Sequence, residues 1–342
     1  MALPHHAHWF KPVAVLLGLA ALLAGCGGGA STATGSATTG SATTGSATTG
    51  SATAPASASA ASPGSGPLEA YVSRDVLTAP TRVAKTALGP VGYRELGAGP
   101  PLLLIMGLGG SMDAWQPIFL AALAQGHRVV LLDNAGVGQT AALTAPLTIT
   151  EMADQTSDLI TALRLGRTAV LGWSMGGMIA QALAVLHPAQ VSRLILAATQ
   201  PGTGKSLPIP AAAAAAAAGS NPAGVLSVLF PASAAAAEQA YALGILRYPG
   251  FYQAPRAVIA AQGLAVQQWI AGHDPAGRQL TAVRLPALVA DGTVDQLNPV
   301  ANDRTLAGEV PGARLILYPG AGHAFLFQDM STFLPAVQRF LG

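Results

Sequence analysis

Six short, unbroken apolar runs constrain this chain more than any other feature. They are Leu102–Met106, Arg128–Leu132, Thr168–Leu171, Arg193–Leu196, Pro286–Ala290 and Arg314–Leu317. Helical patterns fill the intervals, at Ile149–Leu163, Met175–Leu186, Pro299–Ala307 and Phe325–Leu341. A strand that is apolar at every position is buried on both faces, which is the habit of parallel sheets covered by helices. The alternation therefore predicts an α/β fold, a mostly parallel, doubly wound sheet. In such sheets ligands bind beyond the C-terminal ends of the strands. One interval is different. Residues 201–283 are rich in Ala, Pro and Gly, with helical patterns at Ala211–Ala218, Ala232–Leu246 and Pro255–Ala271 and no strand pattern. A block of helices inserted between two sheet strands is expected to cap the site.

The chain has 342 residues, enough for one large α/β domain and additional segments. Only 9% of residues are charged and the formal net charge is +2. That balance does not fit a nucleic-acid binder, which would cluster Lys and Arg. The one cysteine, Cys26, permits neither an intrachain disulfide nor a Cys-based zinc site. No cluster of His and carboxylates has metal-ligand spacing, so neither a metal nor a cofactor is expected.

The first 25 residues have the form of a targeting segment. Lys11 gives a positive start, and Val13–Leu23 is an apolar core too short to span a bilayer. It ends Leu23-Ala24-Gly25-Cys26, which resembles the lipobox of bacterial lipoproteins. The resemblance implies that Cys26 is lipidated, becomes the first mature residue and anchors the protein outside the cytoplasm on a bacterial membrane. Two or more acyl chains anchor stably where one does not. Residues 26–67 repeat Gly-Ser-Ala-Thr-Thr units and have no apolar face to bury, so they are expected to be a disordered tether. Residues 68–342 are the expected folded domain.

The chemistry centres on Gly172-Trp173-Ser174-Met175-Gly176. It follows a strand and opens a helix, the setting a G-x-S-x-G nucleophile elbow requires. A serine hydroxyl needs a base to take its proton. On this fold the order is serine, acid, histidine. Asp291-Gly292-Thr293-Val294-Asp295 and Gly320-Ala321-Gly322-His323 both follow later strands and so emerge at the same sheet edge. His323 is the expected base. Asp295, in a loop with room to reach it, is favoured as the acid over Asp291, which is assigned to the turn. The oxyanion donors are expected to be the backbone N–H of Met175 and, from the glycine-rich loop Met106–Ser111, that of Leu108. Trp173 and Gly107 are the expected pocket residues; Trp115, Phe230, Phe251 and Tyr252 are weaker pocket candidates. His187, His127 and His273 are assigned no catalytic role.

From about residue 90 to 340 the chain resembles the α/β-hydrolase superfamily. The matching stretches are MGLGGSMDAW, DNAGVGQT, GWSMGG, DGTVDQLNP and GAGHAF, in family order. Within it, the similarity is to the branch of carboxylesterases, cofactor-free haloperoxidase-like esterases and polyketide methylesterases. The resemblance implies a serine hydrolase that cleaves small-molecule carboxylic esters through an acyl-enzyme, with lactonase, perhydrolase or carbon–carbon hydrolase chemistry as variants of the same triad. Relatives that open epoxides or haloalkanes use Asp where Ser174 stands. A hydrolase-fold lipoprotein that only binds is the alternative of another class. Two positions depart from the family: Met106 stands where a His is usual, and Ala135 where an Arg is common.

Two other motifs do not complete. Gly202-Thr203-Gly204-Lys205-Ser206 ends like a phosphate loop, but its first glycine would be Thr199. Gly136-Val137-Gly138 lacks the third glycine of a dinucleotide motif, since position 141 is Ala141.

Overall fold

The computed structural model describes residues 67–218 and 221–342. The expected leader (1–25), with Cys26 and all but the last residue of the expected tether (26–67), lies outside them. Eight strands form one sheet: β1 Arg82–Thr86, β2 Gly89–Leu96, β3 Pro101–Ile105, β4 Arg128–Leu132, β5 Thr168–Trp173, β6 Val191–Ala197, β7 Ala287–Gly292 and β8 Arg314–Tyr318. Their spatial order is β1-β2-β4-β3-β5-β6-β7-β8. β1, β2 and β4 pair antiparallel and every later pairing is parallel.

Each apolar run of the sequence is a strand, and period-two alternation divides its side chains between two cores. Leu102, Leu104, Leu171, Ile195 and Leu288 fall in one cluster; Leu103, Ile105, Val170, Leu194 and Val289 fall in the other. The helices that cover them are α1 Pro67–Tyr71, α2 Pro117–Ala124, α3 Ile149–Ala162, α4 Met175–Leu186, α5 Ala211–Ala218, α6 Pro222–Leu229, α7 Ala235–Ile245, α8 Arg256–Ile270, α9 Ala301–Glu309, α10 Phe325–Gln328 and α11 Met330–Leu341. Local chemistry sets several starts. Thr148 and Glu151 form a reciprocal capping box on α3, and the Gln116 side chain accepts from two N–H groups at the start of α2.

Three expectations need correction. The β1–β2 hairpin was not among the expected strands: its residues are partly exposed and the runs are short. The single helix expected over 325–341 is two, broken at Asp329, where the backbone turns to φ −109°, ψ 34°. The break lets Phe325 and Leu326 on one side and Phe333 and Val337 on the other face the same core. α9 begins at Ala301, two residues later than expected. Between β6 and β7 stand α5 to α8, a helical insertion over the sheet. Among the described residues no helix is long and apolar enough to cross a membrane.

Candidate active site

Ser174 sits between β5 and α4 with φ 58° and ψ −123°, a conformation that costs energy for a residue with a Cβ. The turn is tight because its neighbours are glycines. A Cβ on Gly176 would lie 2.0 Å from the Ile105 carbonyl oxygen, and one on Gly172 would lie 2.2 Å from the Gly176 oxygen. The Ser174 N–H donates to the Ala197 carbonyl at 2.9 Å, which fastens the turn to β6. Its side chain is half-buried at the floor of a cavity.

His323, 3% exposed, lines the same cavity. Its Nδ1 lies 2.6 Å from Asp295 Oδ2. The other oxygen of Asp295 accepts from the N–H groups of Leu297 (2.6 Å) and Asn298 (2.9 Å). The carboxylate is thus oriented from one side by its own loop and from the other by the imidazole. Trp173 contributes a tie not foreseen in the sequence: its indole N–H donates to the His323 carbonyl at 3.0 Å. Among the described residues the Ser174 hydroxyl makes no side-chain hydrogen bond, so serine and imidazole share the cavity without being bonded.

The loop after β3 passes directly beside the serine. A Cβ on Gly107 would lie 3.1 Å from that of Ser174. Leu108 and Met175 both line the cavity. Among the described residues, neither backbone N–H is spent on another acceptor. Met106, where a His is usual, is packed into the core with 1% exposure. Its carbonyl accepts from Asn134 Nδ2 at 2.7 Å, so a neighbouring loop supplies a polar tie.

The cavity measures about 470 Å³. Its walls are mainly apolar, with Leu108, Met178, Ile209, Leu226, Leu229 and Ile259 among them. Trp173 and Gly107 line it, as do Phe251 and Tyr252; Trp115 and Phe230 are instead fully buried core.

Residues 100–329 match the family described as alpha/beta hydrolase fold. The chain belongs to the alpha/beta hydrolase family. It is 30% identical over 261 residues to the 2-hydroxymuconate semialdehyde hydrolase of Pseudomonas sp. (strain CF600), covering 72% of this chain and 88% of that one. An alpha/beta hydrolase fold protein from Chitinophaga pinensis superposes with a TM-score of 0.68 at 26% identity, over 78% of this chain and 98% of that one. The enol-lactonase from Burkholderia xenovorans LB400 gives 0.61 at 25% identity, over 76% and 99%.

In this hydrolase, buried polar groups stand behind the Asp295 loop. Asp291, Asn298 and Asp303 are each no more than 1% exposed. Asn298 Nδ2 donates to Asp291 Oδ2 at 2.8 Å and to Asp303 Oδ1 at 3.0 Å. Among the described residues no cationic side chain pairs with either carboxyl. Burial, with Asp295 nearby, raises Asp291 well above the usual carboxylate range, and burial pushes Asp303 up to about 8. Two buried carboxyls so placed disfavour each other's charged form. Asp291 is accordingly a structural residue of the turn. Sequence reasoning also missed Gln262 of α8, which reaches two loops of the hydrolase (below); nothing in the helical pattern distinguishes it from Gln267 or Gln268. Lys205, from the phosphate-loop look-alike, pairs with Glu309 at 2.9 Å. His187 pairs with Asp154, and His273 is exposed.

Proposed function

We propose that this hydrolase cleaves carboxylic esters through an acyl-enzyme, with Ser174 as nucleophile, His323 as base and Asp295 as its orienting acid. The observation that carries the reading is a serine held in a strained elbow, in one cavity with a histidine whose Nδ1 is bonded to a buried carboxylate. Ser174 Oγ attacks the ester carbonyl as its proton passes to His323 Nε2. The carbonyl oxygen takes the electron pair and is held by the N–H groups of Leu108 and Met175. When the intermediate collapses, the alcohol leaves with the proton from His323. Water then attacks the acyl-serine, His323 takes its proton, and the acid departs as Ser174 is reprotonated. Asp295 keeps the proton on Nδ1 so that Nε2 faces the serine, and it stabilises the imidazolium.

The apolar wall favours an acyl or aryl group without charge, of a size that fits a cavity of about 470 Å³. Lactones are internal esters and fall within the same chemistry; the similarity to a solved enol-lactonase supports including them. The site is complete enough that a purely binding role leaves the Ser174 strain without a purpose. The lipobox-like stretch ending at Cys26 supports placing the enzyme outside the cytoplasm on a lipid anchor.

The test is covalent labelling with a fluorophosphonate, beside hydrolysis of p-nitrophenyl esters. The wild-type chain is expected to label once per molecule. Ser174→Ala is expected to fold, to fail to label and to lose at least about 10³-fold in kcat. Parent-like turnover in Ser174→Ala would end the proposal.

A further inference from the structure

The two loops that frame the serine are tied on one side by Asn134, whose Nδ2 donates to the Met106 carbonyl at 2.7 Å, while Met106 and Ala135 themselves are apolar and no more than 2% exposed. One face of the cap helix α8 occupies the gap between them. Val258 approaches Gly136, where a Cβ would lie 3.0 Å from the valine methyl; Ile259 approaches Gly109, with a corresponding distance of 3.1 Å. Both glycines adopt positive φ, 80° and 70°, so the two turns present bare backbone to the helix. One turn further along, Gln262 is fully buried between them. Its Oε1 accepts from the Gly109 N–H at 2.8 Å, and its Nε2 donates to the Ala135 carbonyl at 3.2 Å.

We infer that Gln262 is a positioning residue through which the seated cap sets the geometry of the oxyanion loop. The inference rests on the reading of Leu108 as an oxyanion donor. The Gly109 N–H belongs to the peptide unit that follows Leu108, one Cα away from the Leu108 N–H. Peptide units are rigid planes, so holding one restricts the rotation that aims its neighbour. A glycine-rich loop without that hold samples other orientations, and a donor misaimed at the oxyanion is largely lost to catalysis. Gln262 is 153 residues away from Gly109 in the chain and belongs to the insertion, not to the sheet. The cap therefore does more than cover substrate: lifting α8 withdraws the acceptor that holds the loop. Cap seating and assembly of the oxyanion site become one event.

The effect belongs to the transition state, because a ground-state ester needs no oxyanion donor. Gln262→Met keeps the volume and removes both bonds. Its kcat on a p-nitrophenyl ester is expected to fall about 10- to 100-fold with KM within about threefold of wild type, and its rate of fluorophosphonate labelling to fall in parallel. Gln262→Glu, which accepts from Gly109 in either protonation state, is expected to recover most of that kcat. Should Gln262→Met fail to fold, Gln262→Asn, which keeps the polar groups but is one methylene short, is expected to show the same kcat loss in milder form. A kcat within twofold of wild type in the folded Met or, failing that, Asn variant would overturn the inference, as would a raised KM at unchanged kcat or a Glu variant no better than Met. A wild-type chain inert to the fluorophosphonate would instead overturn the esterase reading itself, and this inference with it.

Discussion

The bond between His323 Nδ1 and Asp295 Oδ2 fixes which ring nitrogen carries the proton, and one substitution isolates that role. Asp295→Asn keeps the shape of the side chain and allows its amide to present a donor to Nδ1, which favours the wrong tautomer. Its kcat is expected to fall by about three orders of magnitude, with KM little changed, in steady-state ester hydrolysis. The buried pair behind that loop makes a second prediction, about stability. Asp303 binds its proton more tightly when folded than the unfolded value near 4 allows, its folded value being about 8. The stability it contributes is therefore complete below about pH 4 and drains away as the pH rises through 8. Wild type is expected to lose a few kcal/mol between pH 5 and pH 9 in urea unfolding, and Asp303→Asn to lose distinctly less over the same interval. At this scale the sequence pointed to Ser174, His323 and Asp295, which the structure brings together, because each follows a strand end with turn residues around it. It did not reveal Trp173 as a tie to the His323 backbone, Asn298 as the brace of two acids, or Gln262. Their partners are backbone groups or acids brought near by tertiary folding, and no local pattern encodes such a meeting.

Among the elements, α4 shows how far burial governs. It runs from Ser174 into the molecule, and Met175 to Ala184 are all buried. Ile179, fully buried, packs in the cluster it shares with β3, β4 and α3. Ile179→Ala is expected to cost about 3 kcal/mol in urea unfolding while leaving kcat within a few-fold, because the elbow is held by backbone bonds and glycines, not by that side chain. The parallel strands were legible because an all-apolar run admits few other fates. The β1–β2 hairpin was not: β1 pairs on one side only, and exposure at Arg82, Val83 and Lys85 dilutes the pattern. The break at Asp329 was hidden for another reason. A continuous amphipathic pattern spans it, and the turn at Asp329 is set by where the aromatic rings must pack.

At the scale of the whole molecule, the expected anchor separates address from chemistry. If Cys26 carries the lipid, Cys26→Ser is expected to release the hydrolase into the soluble fraction with its kcat unchanged, checked by fractionation and ester assay of both fractions. Across the fold, two cores on opposite faces of one sheet support a site built from strand ends and closed by helices from a single insertion. Of the chain's four tryptophans, Trp9 falls in the expected leader, while Trp115 and Trp269 are sealed in those cores with no exposure. Among the described residues, Trp173 is the tryptophan that borders the cavity, with its indole centroid 5.8 Å from that of the His323 ring. On the proposed mechanism this is an optical gauge beside Ser174: when an acyl group loads onto Ser174 or the imidazole gains charge, the emission of this one indole should change, and the two half-reactions become separable by stopped flow without any added dye.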